Sequence, residues 1–257
     1  MTPDDCDARR AELAKNLDAV RERIATACRT AGRDPGEVRL VVVTKTYPAA
    51  DVLRLVWLGV RDVGENRDHE AAAKAAKVAA AGAAGADVRW HFVGHLQRNK
   101  CRSVVRYAAM VHSVDSVRLA RALDHAAREH ADESANAGPA TDRLAVLVQV
   151  SLDGDPTRGG AVLGGGDEDV ALDRVVDAIA NAQGLRFRGL MAVAPLHWDP
   201  DAAFATLAAI VDRVRAGYPD ATVLSAGMSG DLEQAIRHGA THVRVGSAVL
   251  GERPPLR

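Results

Sequence analysis

From residue 38 onward the chain alternates short β-branched runs with stretches of helical period, and this alternation limits the fold more than any other feature. The first run, Val38 to Thr44, is almost entirely apolar and ends in Lys45, as expected for a strand covered on both faces. Further strands are expected at Asp62 to Gly64, Trp90 to Val93, Met110 to Val114, Leu144 to Val150, Arg188 to Val193, Thr222 to Ser225 and His242 to Val245, eight in all. Helical spacing fills the gaps at Ala49 to Leu58, Glu70 to Ala81, Lys100 to Tyr107, Val117 to Glu129, Val170 to Ala182, Ala202 to Ala216 and Leu232 to His238. Such an order calls for parallel strands joined by crossover helices. Eight units in 257 residues match a (β/α)8 barrel. The expected fold class is therefore α/β, a single (β/α)8 TIM-barrel domain spanning 1–257. An extra amino-terminal helix precedes it over Asp7 to Ala31, with Leu13, Leu17, Val20, Ile24 and Cys28 on one face and Gly32 as its stop. A doubly wound open sheet is the alternative, but Thr46, Tyr47 and Pro48 stand where a glycine-rich fingerprint would follow the first strand.

Two segments read as surface loops, Asp132 to Thr141 and the glycine-rich Asp153 to Asp169. Charge is balanced, 33 basic against 34 acidic residues, and only nine residues are aromatic, so neither a polyanion-binding field nor a stacking platform for nucleic acid is expected. Met1 to Arg10 is polar and lacks the basic start and apolar run of a secretory signal, and no stretch approaches the ~18 apolar residues of a membrane span, so a cytoplasmic protein is expected. Cys6, Cys28 and Cys101 have no paired spacing and are read as reduced thiols. A barrel closes its own sheet, which favours a monomer.

Candidate chemistry gathers at strand ends. Lys45 stands at the carboxyl end of the first strand, the functional face of a barrel, where partial desolvation would lower the ammonium pKa and favour a nucleophilic amine; a lysine snorkelling to water is the plainer reading. After the seventh strand comes Ser225-Ala226-Gly227-Met228-Ser229-Gly230-Asp231, and the eighth runs out as Arg244-Val245-Gly246-Ser247. Small residues there let backbone N–H groups approach a phosphate, a ligand barrels commonly seat after their last two strands. Arg244 lies two residues before Gly246, so both should face the same way, either with a carboxylate partner for the arginine or with its guanidinium toward a ligand. Gly64-Glu65-Asn66 adds polar side chains at the same rim. His91 and His95 crowd the exit of the third strand without a recognisable metal-ligand spacing, and no metal is expected. His112, Ser113 and Asp115 are strand neighbours without a nucleophile elbow, a poor basis for a triad.

Taken together, Val43-Thr44-Lys45-Thr46, Gly64-Glu65-Asn66, Trp90-His91-Phe92-Val93-Gly94, Gly189-Leu190-Met191, Met228-Ser229 with Asp231-Leu232-Glu233, and Arg244-Val245-Gly246-Ser247 resemble the pyridoxal phosphate homeostasis protein family, itself related to the amino-terminal barrel of alanine racemase. The resemblance implies pyridoxal 5′-phosphate (PLP) as cofactor, a Schiff base on Lys45, phosphate contacts from Ser229, Gly246 and Ser247, Met228 beside the cofactor, Arg244 at its pyridine nitrogen, and Asn66 completing the set. It departs from the family at Arg67, Asp68 and His69, and at Arg158 in an extended glycine-rich loop, where a lysine is usual. The function implied is holding and releasing PLP, with PLP-dependent apoenzymes as candidate recipients, rather than strong catalysis. An arginine at the ring nitrogen makes a poor electron sink, and the second tyrosine base that alanine racemase draws from another domain has no counterpart in this sequence. A weak amino-acid racemase and a lysine-dependent aldolase are the alternatives.

Overall fold

A computed structural model describes residues 3–82, 85, 87–135, 143–155 and 158–251. Eight parallel strands close a barrel in sequence order: β1 (Arg39–Val43), β2 (Asp62–Glu65), β3 (Arg89–Phe92), β4 (Ala108–Val114), β5 (Leu144–Gln149), β6 (Leu185–Met191), β7 (Val223–Ser225) and β8 (His242–Val245). β1 pairs with β8 from Arg39 opposite His242 to Val42 opposite Val245, which removes the open edge of the rejected alternative. The connecting helices are α2 (Ala49–Trp57), α3 (Asp68–Ala79), α4 (Cys101–Val104), α5 (Val117–Ala135), α6 (Leu172–Ala180), α7 (Pro200–Gly217) and α8 (Leu232–Arg237), and a last turn, α9 (Ser247–Leu250), follows β8.

The boundaries shift where local signals compete. β6 begins at Leu185, three residues earlier than expected, because Arg186 and Arg188 mask its apolar alternation. α4 is a single turn behind a 3-10 turn at Arg98–Lys100, shorter than the periodicity of Lys100 to Tyr107 suggested. α5 continues to Ala135 and takes in the start of the expected Asp132 to Thr141 loop, whose remainder, 136–141, lies outside the described residues.

The long helix α1 (Pro3–Thr30) buries Leu13, Leu17, Val20, Ile24 and Cys28 in one cluster with Val52 and Leu55 of α2, Leu232 and Ile236 of α8, and Val249 and Leu250. It ends at Gly32, whose φ of +67° suits a residue without a Cβ. Arg33 then donates to the carbonyls of Ile236 and Ala240, both at 2.8 Å, and fixes α1 across α8. Strand residues alternate between helix-facing side chains, such as Val42, Val63, Trp90 and Val243, and barrel-facing ones. Inside the barrel Leu147, Met191 and Val223 form a small apolar group with Met110 and Val193 packed against it, and buried polar side chains, among them His91, His112, Ser225 and Arg244, share the interior. No described helix is long and apolar enough to cross a membrane.

Candidate functional site

At the carboxyl ends of β1, β2, β7 and β8 lies a cavity of about 460 Å³ whose wall includes Lys45, Asn66, Met228, Ser229, Arg244, Gly246 and Ser247, all seven of the candidate site residues. Val43, Val93 and Val193 supply its apolar surface, and Tyr47 and Gly251 lie at its edge. The Tyr47 hydroxyl donates to the Gly251 carbonyl at 2.8 Å, which ties the turn after β1 to the end of α9.

Lys45 is half-buried, and the peptides on either side of it are held by groups that sequence reasoning missed. Lys74 of α3, itself buried, donates to the Thr44 carbonyl and to Glu65, each at 2.7 Å, and pairs with Glu70 at 2.6 Å. Glu70 in turn accepts from the Thr46 backbone N–H, and Thr46 takes a left-handed φ of +69°, uncommon for a residue with a branched Cβ. Glu65 does not face the rim: it is 1% exposed, and its other oxygen has no hydrogen-bond partner among the described residues. Burial pushes its carboxyl up, against the opposing pull of Lys74 and Thr44. The i, i+4 spacing of Glu70 and Lys74 was visible in the sequence, but their reach to β1 depends on how α3 lies on the barrel.

Across the cavity, the Met228 backbone N–H donates to the Asp231 carboxylate at 2.6 Å, closing a tight turn that presents Ser229. Gly227 opens that turn at φ +89°, and a Cβ there would sit 2.6 Å from the Ala235 methyl. Asp231 does not cap α8 with its side chain; its carboxylate closes this turn instead. Arg23 of α1 donates to the Ser229 carbonyl at 3.0 Å while forking onto Glu233, so the extra helix also positions a cavity residue. The hydroxyls of Ser229 and Ser247 lie 3.5 Å apart. A Cβ on Gly246 would come within 3.2 Å of the Val43 carbonyl, and one on Gly94 would lie only 2.2 Å from the Asn66 carbonyl. Gly94 therefore needs to be glycine for close backbone approach, and Gly246 is tightly placed.

Arg244 is 5% exposed and has no carboxylate partner among the described residues; it donates to the Ser225 carbonyl and hydroxyl, both at 2.7 Å, and to the Ala192 carbonyl at 3.0 Å. Burial lowers its pKa to about 10, which leaves it charged at neutral pH. The Ser225 hydroxyl also meets His112 Nδ1 at 2.9 Å, His112 Nε2 meets His91 Nδ1 at 2.8 Å, and His91 Nε2 meets Asp62 at 2.8 Å. Arginine only donates and carboxylate only accepts, so with both imidazoles neutral every bond points one way, from Arg244 through Ser225, His112 and His91 to Asp62. Burial and neighbouring positive groups hold His112 well below the ordinary histidine range. Burial works to raise Asp62, but hydrogen bonds from Arg89 and His91 outweigh it and keep its carboxyl well below the usual range.

The remaining candidates separate. His91 lies inside the barrel, whereas His95 is 73% exposed at the rim, 3.7 Å from Asp115. Among the described residues no group of His, Cys, Asp and Glu stands together as a metal site. His112 engages Ser225 and His91, while the Ser113 hydroxyl has no described partner, so the two form no triad. Arg158 fastens the glycine-rich loop to the barrel mouth, pairing with Asp153 at 2.9 Å and donating to the carbonyls of Val193 and Ala194 at 3.2 Å.

This fold and its strand-end cavity define a class: residues 15–254 match the family described as alanine racemase, N-terminal domain. The pyridoxal phosphate homeostasis protein of Mycobacterium tuberculosis (strain ATCC 25618 / H37Rv) is 47% identical over 251 residues, covering 95% of this chain and 94% of that protein. That of Escherichia coli (strain K12) is 33% identical over 94% of this chain and 97% of its own length. The structure of PipY from Synechococcus elongatus with PLP bound superposes with a TM-score of 0.74 at 32% identity, covering 93% of this chain and all of that one. The chain belongs to the pyridoxal phosphate homeostasis protein family.

Proposed function

We propose that this protein binds PLP in the cavity between Lys45 and the Ser229/Gly246/Ser247 wall, and serves as a reversible carrier that keeps the cofactor available without strong catalysis of its own. The observation that carries this reading is the convergence of seven residues from four strand ends on one cavity of about 460 Å³, within the size range of small-molecule sites. The donor set fits: one primary amine, two hydroxyls beside a glycine that lets backbone approach closely, and a guanidinium that stays charged at neutral pH. The relative solved with PLP bound supports the same choice of ligand.

Bound PLP supplies an aldehyde, which condenses reversibly with a primary amine. Lys45 is the amine on the cavity wall, and the Lys74, Glu65 and Glu70 cluster fixes the backbone from which it projects. Ser229, Ser247 and the Gly246 backbone offer donors for a phosphate, and Met228 and Asn66 bound the space between. Arg244 cannot accept a proton at its donor nitrogens, so at a pyridine nitrogen it favours the unprotonated ring, a poor sink for carbanion electrons. That argues for holding over turnover.

The test is a PLP titration followed by gel filtration. A yellow protein retaining close to one equivalent, and passing it to an added PLP-dependent apoenzyme, is the expected result. A protein that stays colourless through the column removes the proposal. Solvent deuterium entering the α-position of added amino acids faster than with free PLP would replace the carrier by a racemase.

A further inference from the structure

We infer that the opposite, amino-terminal mouth of the barrel holds a second small-molecule site, one for a compact anion carrying several charges, such as linked phosphates. A cavity of about 870 Å³ opens there, bounded by the first residues of β1, β3, β5, β7 and β8 and by the start of β6. Arg39, Arg89, Arg143, Arg186 and Arg188 all line it. Arg186 and Arg188 are two apart on β6 and so share a face, and both reach this cavity.

Charge balance within the wall is what points to a ligand. Asp62 serves Arg89 at 2.7 Å and Arg39 at 3.7 Å and accepts from His91 as well, so one carboxylate is divided among three groups. The guanidiniums of Arg143, Arg186 and Arg188 have no hydrogen bond or ion pair among the described residues, and among those residues Asp132 is the one carboxylate on the wall. Guanidiniums gathered in a concave site with few counter-charges repel one another, and an anion seated among them turns that repulsion into charge-assisted hydrogen bonds. His242, 7% exposed on the inner wall, reports the same field: burial, His91, Arg39 and Arg188 together hold it down to about 3, against the pull of Asp62. Chemistry narrows the ligand further. Among the described residues no Trp, Tyr or Phe lines the cavity, and its concave shape suits a small anion better than a polymer.

The test is calorimetric titration of inorganic triphosphate into protein loaded with PLP and then desalted, at low ionic strength, so that the other mouth is already filled. One equivalent is expected to bind, with affinity that weakens as salt is added. The Arg186→Ala/Arg188→Ala variant is expected to lose affinity about tenfold or more, and Arg143→Ala, changed at an exposed position, to lose part of it. Retained cofactor absorption and an unchanged elution volume show that the variants are folded. Absence of heat from the parent protein overturns the inference, as does binding at several equivalents that both variants leave unchanged. Equal displacement by one further equivalent of PLP would identify the cofactor itself as the anion of this site and support it.

Discussion

Acid should destabilise this protein earlier than carboxylate titration alone would allow, because two buried histidines must stay neutral for it to fold. His112 and His242 are both held well below the ordinary value of 6.5, His242 to about 3, with burial the largest cause. In the unfolded chain each takes up a proton as pH falls through about 6.5, while in the folded state neither does until far lower. The unfolded state then binds more protons, so unfolding free energy falls as pH falls. Between pH 7 and pH 5 each histidine costs about 2 kcal/mol, or about 4 kcal/mol for the pair, a large share of a typical domain's stability. Glu65 and Asp115, both raised chiefly by burial, bind protons in the folded state and oppose the trend. A comparison with His242→Gln removes their contribution, since they are common to both proteins. The assay is urea unfolding of the apoprotein at pH 7 and pH 5 in phosphate-free buffer. The variant should show a pH dependence smaller by about 2 kcal/mol. Identical pH dependence in the two proteins would refute the reasoning.

Three further outcomes follow from the site. Lys74→Met leaves Glu65 buried without its partner and should cost about 3 kcal/mol while weakening PLP retention; adding Glu65→Gln should restore much of the stability, and no recovery would show that the pair is not the cause. Gly94→Ala drives a Cβ into the Asn66 carbonyl and should lower stability by about 1–3 kcal/mol with a loss of PLP affinity, read by thermal unfolding and cofactor titration. Arg23→Ala should weaken PLP binding several-fold with α1 still folded, since the arginine touches the cavity only through the Ser229 carbonyl; unchanged affinity would remove α1 from the site.

The barrel was legible because its signal is local and repeated: runs such as Leu40 to Val43 and His242 to Val245 declare buried strands by composition, and Gly32 marks the end of the first helix. Lys45, Ser229, Gly246 and Ser247 could be nominated because each follows a strand directly, and strand ends in a barrel face one mouth. The supporting groups could not. Whether His91 pointed inward or out of the β3 exit depended on strand register, since both faces of a barrel strand are covered. The sequence of bonds from Arg244 to Asp62 joins β8, β7, β4, β3 and β2, and of the two readings of Arg244 the carboxylate partner is not met among the described residues, because carbonyls of Ser225 and Ala192 take that place. Nothing local in the sequence singles out Lys74; the packing of α3 places it under Thr44.

The central claim concerns one amine among five, since the chain has lysines only at 15, 45, 74, 77 and 100. Incubation with PLP, reduction with borohydride and peptide mass spectrometry test it directly. A single pyridoxyl group on the peptide containing Lys45, absent from Lys45→Ala, is the predicted result. An unmodified Lys45 peptide, or a label spread over the other lysines, would contradict the account.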